Sequence, residues 1–170
     1  SGRAVFHARP HLPPREMPDG EFPMLLNTGR LAHQWHTMTK TGRVDKLNKL
    51  NPEPFVEIHP EDAVARGITE GDSVRISSRR GQATLPAVLT DRVRPGNCFA
   101  PFHWNDMFGP GLAINAVNND AVDPDSLQPE LKACAVALTR VGAASSASGL
   151  AGALGCPGEP EPPVLDSLAR

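Results

Sequence analysis

Residues 22–40 read FPMLLNTGRLAHQWHTMTK, and the rest of the chain is arranged around them. The apolar run Phe22-Pro23-Met24-Leu25-Leu26 predicts a buried β-strand ending at Asn27. Gly29 permits a turn there that a residue with a side chain resists. Beyond it stand a guanidinium (Arg30), two imidazoles (His33, His36), an indole (Trp35), an amide (Gln34) and hydroxyls (Thr28, Thr37, Thr39). Arg forks onto phosphate, while hydroxyls and backbone N–H groups complete an anion cradle. This density of donors and flat rings suits a large anionic ligand with a ring system. Lys40, Arg43, Lys46 and Lys49 add positive charge against Asp45 alone, a field that favours phosphate. A polar loop followed by a basic, solvated helix explains the same residues without a ligand. His33-x-x-His36 has zinc-ligand spacing, but zinc needs further ligands. No Cys-x-x-Cys or second His pair accompanies it, so no metal site is expected.

The 170 residues suffice for one domain with a real core. The net charge of −2 hides an uneven layout: five of the seventeen basic residues fall between Arg30 and Lys49, and none between Pro95 and Leu131. With a pI of about 6.3, the chain lacks the broad basic surface of a nucleic-acid binder. Three widely spaced cysteines, Cys98, Cys134 and Cys156, make no disulfide framework. Cys98 and Cys134 lie in apolar runs and are expected to be buried thiols. No apolar stretch reaches transmembrane length and the N-terminus has no signal-peptide design, so an intracellular, cytoplasmic chain without a membrane partner is expected. It begins at Ser1 with no initiator Met, as a fragment does.

In chain order, residues 1–21 are Pro-rich and aperiodic, an extended lead-in. Residues 44–50 predict a short helix or irregular turn. Residues 55–58 alternate as a half-buried strand does. Pro60 with Glu61 and Asp62, then Gly67, are helix start and stop signals. Residues 73–78 predict a strand and Arg79-Arg80-Gly81 its turn, with the arginines either solvated or touching a ligand. A third strand spans residues 82–90, where Pro86 argues for an edge or a bulge. Residues 97–104 and 134–141 predict two more. Short strands, tight turns and two or three brief helices make a small, mainly β barrel. Of the 29 residues 142–170, 19 are Gly, Ala, Ser or Pro, a flexible tail or linker.

A second cluster of polar groups lies in the other half of the chain. The strand over residues 97–104 ends in Phe99, Phe102, His103 and Trp104, whose structural reading is core plugging. Asn115, Asn118 and Asn119 follow a Gly-Pro-Gly loop, and Asx-turn chemistry accounts for such clusters. Lys132 is the lone cation of a long acidic and neutral region.

The run Thr28-Gly29-Arg30-x-x-x-Gln34-Trp35-His36-Thr37-Met38-Thr39-Lys40-Thr41-Gly42 resembles the entry motif of the C-terminal domain of molybdopterin-dinucleotide oxidoreductases. Its Gln-Trp-His-Thr-Met-Thr variant, with Pro54-Phe55-Val56-Glu57-Ile58-His59-Pro60 after it, resembles prokaryotic assimilatory nitrate reductases. The resemblance covers residues 22–141 in the family's motif order. It implies a double-psi β-barrel (aspartate decarboxylase-like) and contacts from Thr28, Gly29, Arg30, His33, Gln34, Trp35, His36, Thr37, Asn115 and Lys132 to molybdopterin guanine dinucleotide. His103 or Phe102 falls where the family has a residue facing the substrate channel. The resemblance also implies that the side-chain ligand of molybdenum, the 4Fe-4S cluster and its Cys ligands belong to earlier domains of the same polypeptide. The fragment is thus expected to be inactive alone, and the whole enzyme to reduce nitrate with electrons from ferredoxin, flavodoxin or an NADH-linked subunit. Formate dehydrogenase and periplasmic nitrate reductase are the alternatives within the family, and the Gln34-to-Thr39 run argues against both. A non-catalytic double-psi interaction module is the alternative outside it, although such a module has no use for this loop paired with a distant Asn and Lys.

Overall fold

The structure, a computed structural model, describes residues 1–130 and 133–143. Its strands are β1 (Met24–Gly29), β2 (Val56–Ile58), β3 (Ser73–Ser77), β4 (Gln82–Leu89), β5 (Asn97–Pro101) and β6 (Cys134–Gly142). Two short helices, α1 (Asp45–Leu50) and α2 (Pro60–Ala65), and 3-10 turns at His36–Met38, Thr41–Arg43 and Ile114–Ala116 complete the described elements. The strands close into a barrel in the order β1-β5-β2-β4-β3-β6. Two pairings are parallel, β1 with β5 and β2 with β4, and the rest antiparallel. This is the double-psi β-barrel that the resemblance implied.

Side-chain alternation along the strands builds the core. Met24, Leu26 and Thr28 of β1 share the inward face, joined by Val74 and Ile76 of β3, Leu85 of β4, Ala100 of β5 and Val136 of β6, all buried. Each large aliphatic side chain buried this way contributes roughly 1.5–3 kcal/mol. Cys98 and Cys134 lie opposite Leu26 on the two strands that flank it. Both are free, buried thiols, and burial pushes the Cys98 thiol up to about 12. Among the described residues no helix is long and apolar enough to cross a membrane.

Strand ends differ from the pattern for identifiable reasons. β1 starts at Met24 because Phe22 is held in a turn, where the Asp19 carboxylate accepts from the Glu21 and Phe22 N–H groups at 2.9 Å each. It then runs past Asn27, since its ladder with β5 continues to Gly29 opposite Pro101. β5 stops at Pro101 rather than Trp104: the Phe102 N–H donates to the Gly29 carbonyl at 3.1 Å and the chain then turns. Pro86 lies inside a continuous β4, not in a bulge, at a local edge: it pairs with β3 on one side and has no strand partner on the other. The Ala87 N–H donates to Asp72 on the β3 side at 2.8 Å, so the N–H of residue 84 and the nitrogen of Pro86 face the other way. On that side Gly111 takes the Thr84 N–H at 2.9 Å, and β2 begins only opposite Ala87. Pro86 therefore sits at the handover between two partners, where no donor is needed.

α2 follows its signals. Pro60 opens it, the His59 ring accepts from the Glu61 N–H at 3.3 Å, and Gly67 leaves it at φ 63°. The turn before β3 is locked by Asp72, which accepts from the Thr69 N–H and hydroxyl at 2.8 Å each and from Arg140 Nε at 2.7 Å. Residues 1–21 carry no helix or strand. Lys132 and residues 144–170, the expected linker from its third residue on, lie outside the described residues.

Candidate functional site: a cleft at one barrel rim

Parallel pairing places the C-terminal ends of β1 and β5 side by side, so the loops leaving them share one rim. The Leu31 N–H donates to His103 Nε2 at 3.0 Å, tying the first loop to the second. The 3-10 turn Ile114–Ala116 closes the rim from a third direction. His36, Thr37, Phe102 and Asn115 together line a cleft of about 220 Å3. Residues nearly eighty positions apart thus meet at one place.

The loop of residues 30–44 is held by its own polar network. The Thr41 hydroxyl accepts from the Trp35 N–H at 3.1 Å and donates to Gln34 Oε1 at 2.6 Å. Gln34 Nε2 lies 3.5 Å from Asn48 Oδ1, and Asn48 Nδ2 donates to the Gly42 carbonyl at 2.7 Å. Met38 is buried as an apolar anchor. This support carries unusual backbone: His36, Thr37 and Met38 have φ of 35°, 51° and 63°, the left-handed region that costs a non-Gly residue about 1–3 kcal/mol. Three such residues in succession persist only because the surroundings over-determine them, and two of the three line the cleft.

Placed one by one, the predicted site residues divide. His36, Thr37, Asn115 and Phe102 come together in the cleft. Thr28 is buried on the inward face of β1, and Gly29 is buried at its end. Arg30 and His33 are exposed on the loop. Trp35 is half exposed, its ring edge-on to His36 with centroids 4.4 Å apart. Gln34 is buried and bonded within the loop. His103 is fully buried, beside Phe102 with ring centroids 5.1 Å apart. Lys132 lies outside the described residues, and with it the question of whether it shares a cleft with Arg30. Sequence reasoning missed Thr41, Asn48 and Asn118 as supports. Thr41 stood inside the motif run, whereas Asn48 had no signal beyond lying on a short helix.

Two donors in this region have no acceptor among the described residues. Asn115 is exposed, and its Oδ1 accepts from Asn118 Nδ2 at 3.0 Å, which leaves its NH2 group open to solvent at the cleft. Because His103 Nε2 accepts the Leu31 N–H, the neutral ring carries its proton on Nδ1, and that buried nitrogen has no partner. Burial, followed by the charges of Arg30 and His36, lowers the His103 pKa and keeps the ring neutral. On the open side Arg30, Lys40, Arg43, Lys46 and Lys49 are exposed, and none is ion-paired among the described residues. The Asn115 amide at the cleft and the exposed cations of the loop fit a group that brings acceptor atoms and phosphate, whereas the His103 Nδ1–H is buried behind Phe102. Among the described residues no group of three or more His, Cys, Asp or Glu could hold a metal ion.

Comparisons with known proteins agree with this chemistry. Residues 24–135 match the family model described as "Molydopterin dinucleotide binding domain". The chain is 46% identical over 134 residues to the periplasmic nitrate reductase of Desulfovibrio desulfuricans, and 45% over 135 residues to a nitrate reductase of Symbiobacterium thermophilum. It is 40% identical over 126 residues to a nitrate reductase of Klebsiella oxytoca. These matches cover 79%, 79% and 74% of this chain but only 17%, 18% and 14% of the relatives. The chain therefore spans less than a fifth of their length. Among solved structures, acetylene hydratase from Pelobacter acetylenicus superposes with a TM-score of 0.61 over 71% of this chain and 18% of that one, at 18% identity. That likeness bears on the barrel alone. The chain belongs to the molybdopterin-dinucleotide-binding domain family.

Proposed function

We propose that this chain is the cofactor-holding domain of a molybdenum nitrate reductase of the assimilatory, cytoplasmic kind, and that the dinucleotide it holds is molybdopterin guanine dinucleotide. The observation that carries the reading is the cleft itself: a strained, donor-bearing loop from one strand end, closed by a solvent-facing amide from a segment nearly eighty residues away, in a chain whose relatives are nitrate reductases. Bound cofactor supplies the redox chemistry, in which nitrate gives up one oxygen atom and leaves as nitrite. This chain's own residues orient and hold. The Asn115 amide donates to acceptor atoms in the cleft, and the left-handed His36-Thr37 backbone shapes its wall. Arg30 forks onto phosphate, and Lys132 adds a second positive contact. Neutral His103 keeps the Leu31 end of the loop in place behind Phe102. The side-chain ligand of molybdenum and the 4Fe-4S cluster belong, in this reading, to the remaining domains. The electron donor is ferredoxin, flavodoxin or an NADH-linked subunit. By itself the chain is inactive.

A periplasmic nitrate reductase is the second reading, favoured by the 46% identity to the Desulfovibrio desulfuricans protein. The Gln-Trp-His-Thr-Met-Thr run supports the assimilatory one, and fractionating cells that express the whole enzyme separates the two.

The cofactor reading is tested with Arg30→Ala in the whole enzyme. Losing an Arg–phosphate fork is expected to weaken cofactor retention by about 1.5–3 kcal/mol, the range for hydrogen bonds to charged groups. Purified variant with normal molybdenum and guanine content would make Arg30 a surface charge and nothing more.

A further inference from the structure

The turn between β3 and β4 carries Arg79-Arg80-Gly81, which the sequence left as solvated charge or a ligand contact. Both arginines are exposed, as solvated charge on a turn is, but each is also ion-paired to the lead-in. Gly81 packs against the 3-10 turn that bears Asn115: a Cβ added there would sit 2.7 Å from the Ala116 carbonyl oxygen. That is closer than any carbon can approach, so the hairpin tip and the turn meet backbone to backbone because residue 81 has no side chain.

Arg80 reaches past this contact to the far end of the same turn. Its Nε and Nη2 donate to the Val117 carbonyl at 3.3 and 3.1 Å, and Nη2 also lies 3.1 Å from Cys134 Sγ and 2.7 Å from Glu16 Oε2. The Cys134 thiol donates to that Val117 carbonyl at 3.0 Å. Ile114 and Val117, which bracket Asn115, are fully buried. One guanidinium therefore joins three segments: the lead-in at Glu16, the start of β6 at Cys134, and the turn whose Asn115 faces the cleft. Arg79 is different. It reaches Glu16, Asp19 and the face of Phe22 at 4.6 Å, and nothing on the turn.

We propose that Arg80 and Gly81 are positioning residues for Asn115: Gly81 sets how closely the turn approaches the barrel, and Arg80 fixes its Val117 end while tying it to the incoming chain. The role in cofactor retention rests on the reading of the cleft given above; the role in placing Asn115 does not. The fork is what the site requires. A Lys offers a point charge that can stay with Glu16 but cannot span Val117 and Cys134 at once. Around metal ions, groups that hold a ligand from behind change affinity by about ten- to a hundred-fold when removed, and the lower end of that range is the expectation for this amide.

The test reads the Asn115 side-chain amide directly, by nitrogen-15 NMR of the full chain. Arg80→Lys and Gly81→Ala are each expected to shift that resonance by more than its linewidth, with the core amides of Val74 and Leu85 unmoved. Arg79→Gln should leave it in place. In the whole enzyme Arg80→Lys is expected to weaken cofactor retention by about tenfold. An unmoved Asn115 amide in Arg80→Lys, or an equal shift in Arg79→Gln, overturns the proposal, and this holds even where Gly81→Ala does not fold. Asn115→Ala separates the two readings. If it retains cofactor normally while Arg80→Lys still moves the Asn115 amide, the positioning stands and the cofactor reading falls.

Discussion

His103 sits between two strand ends, and its protonation state follows from one hydrogen bond. Accepting the Leu31 N–H at Nε2 requires the neutral ring, and burial lowers its pKa in the same direction. His103→Phe keeps an aromatic ring, a somewhat larger one, and deletes the acceptor, so it should destabilise the chain by about 1–3 kcal/mol, the cost of a stranded donor. The pH dependence has a definite sign. Below the ordinary histidine value of 6.5 the unfolded chain takes up a proton that the folded ring resists, so the histidine's contribution falls with pH from there down to its depressed folded value. The stability gap between wild type and His103→Phe should therefore narrow on acidification through that window, measured by urea unfolding above and below pH 6.5. A gap that widens would mean that the folded ring accepts the proton. Spacing alone did not choose between His103 and Phe102 as the residue at the opening. Phe102 lines the cleft and His103 stands behind it, because the strand stops at Pro101 and the chain turns. That stop depends on β1, a partner too distant in sequence for a local pattern to register.

At the scale of elements, the turn before β3 illustrates how a short segment is fixed by one carboxylate. Hydrogen bonds from the Thr69 backbone, Arg140 and the Thr69 hydroxyl hold the Asp72 carboxyl down at about 2, from 3.8. A depressed carboxylate contributes stability that is fully present above pH 3.8 and is lost as pH falls toward 2. Asp72→Asn should accordingly be less stable than wild type near neutrality, with the difference shrinking across that acid range. Equal stability of the two at neutral pH, by thermal unfolding, would remove Asp72 from the account of this turn. β3 was legible in its period-2 alternation, β1 in its apolar run and α2 in its Pro and Gly signals, whereas β2, expected to be half-buried, is buried at Val56, Glu57 and Ile58 alike. The closed order was not legible, since alternation reports which residues face inward and says nothing of which strand lies alongside. Pro86 shows the same limit: its missing donor marked a special position, but only the β2 and Gly111 neighbours explain it. The left-handed run at His36, Thr37 and Met38 had no signal at all, because no glycine stands there.

For the molecule as a whole, the core and the cleft are made by different residues, save Phe102, which packs against the core while lining the cleft. The aliphatic cluster of Met24, Leu26, Val56, Ile58, Val74, Ile76, Leu85 and Val136 closes on itself through six mutually paired strands. None of those side chains lines the cleft. The loop of residues 30–44, by contrast, combines strained backbone with exposed cations and has no strand partner. Ligand loops are drawn from the low-stability end of a fold because they must admit something. The chain is therefore expected to fold with no cofactor present, and to do so unevenly. Amide hydrogen exchange should be slowest at Leu26, Ile76, Leu85 and Val136, which open only on global unfolding. It should be faster at His36 and Thr37, which local opening exposes. A chain that collapses without cofactor would mean that the core is insufficient. Protection at His36 equal to that at Leu85 would mean that the loop is part of the barrel's cooperative unit, and that its strain is balanced by packing alone rather than awaiting a ligand.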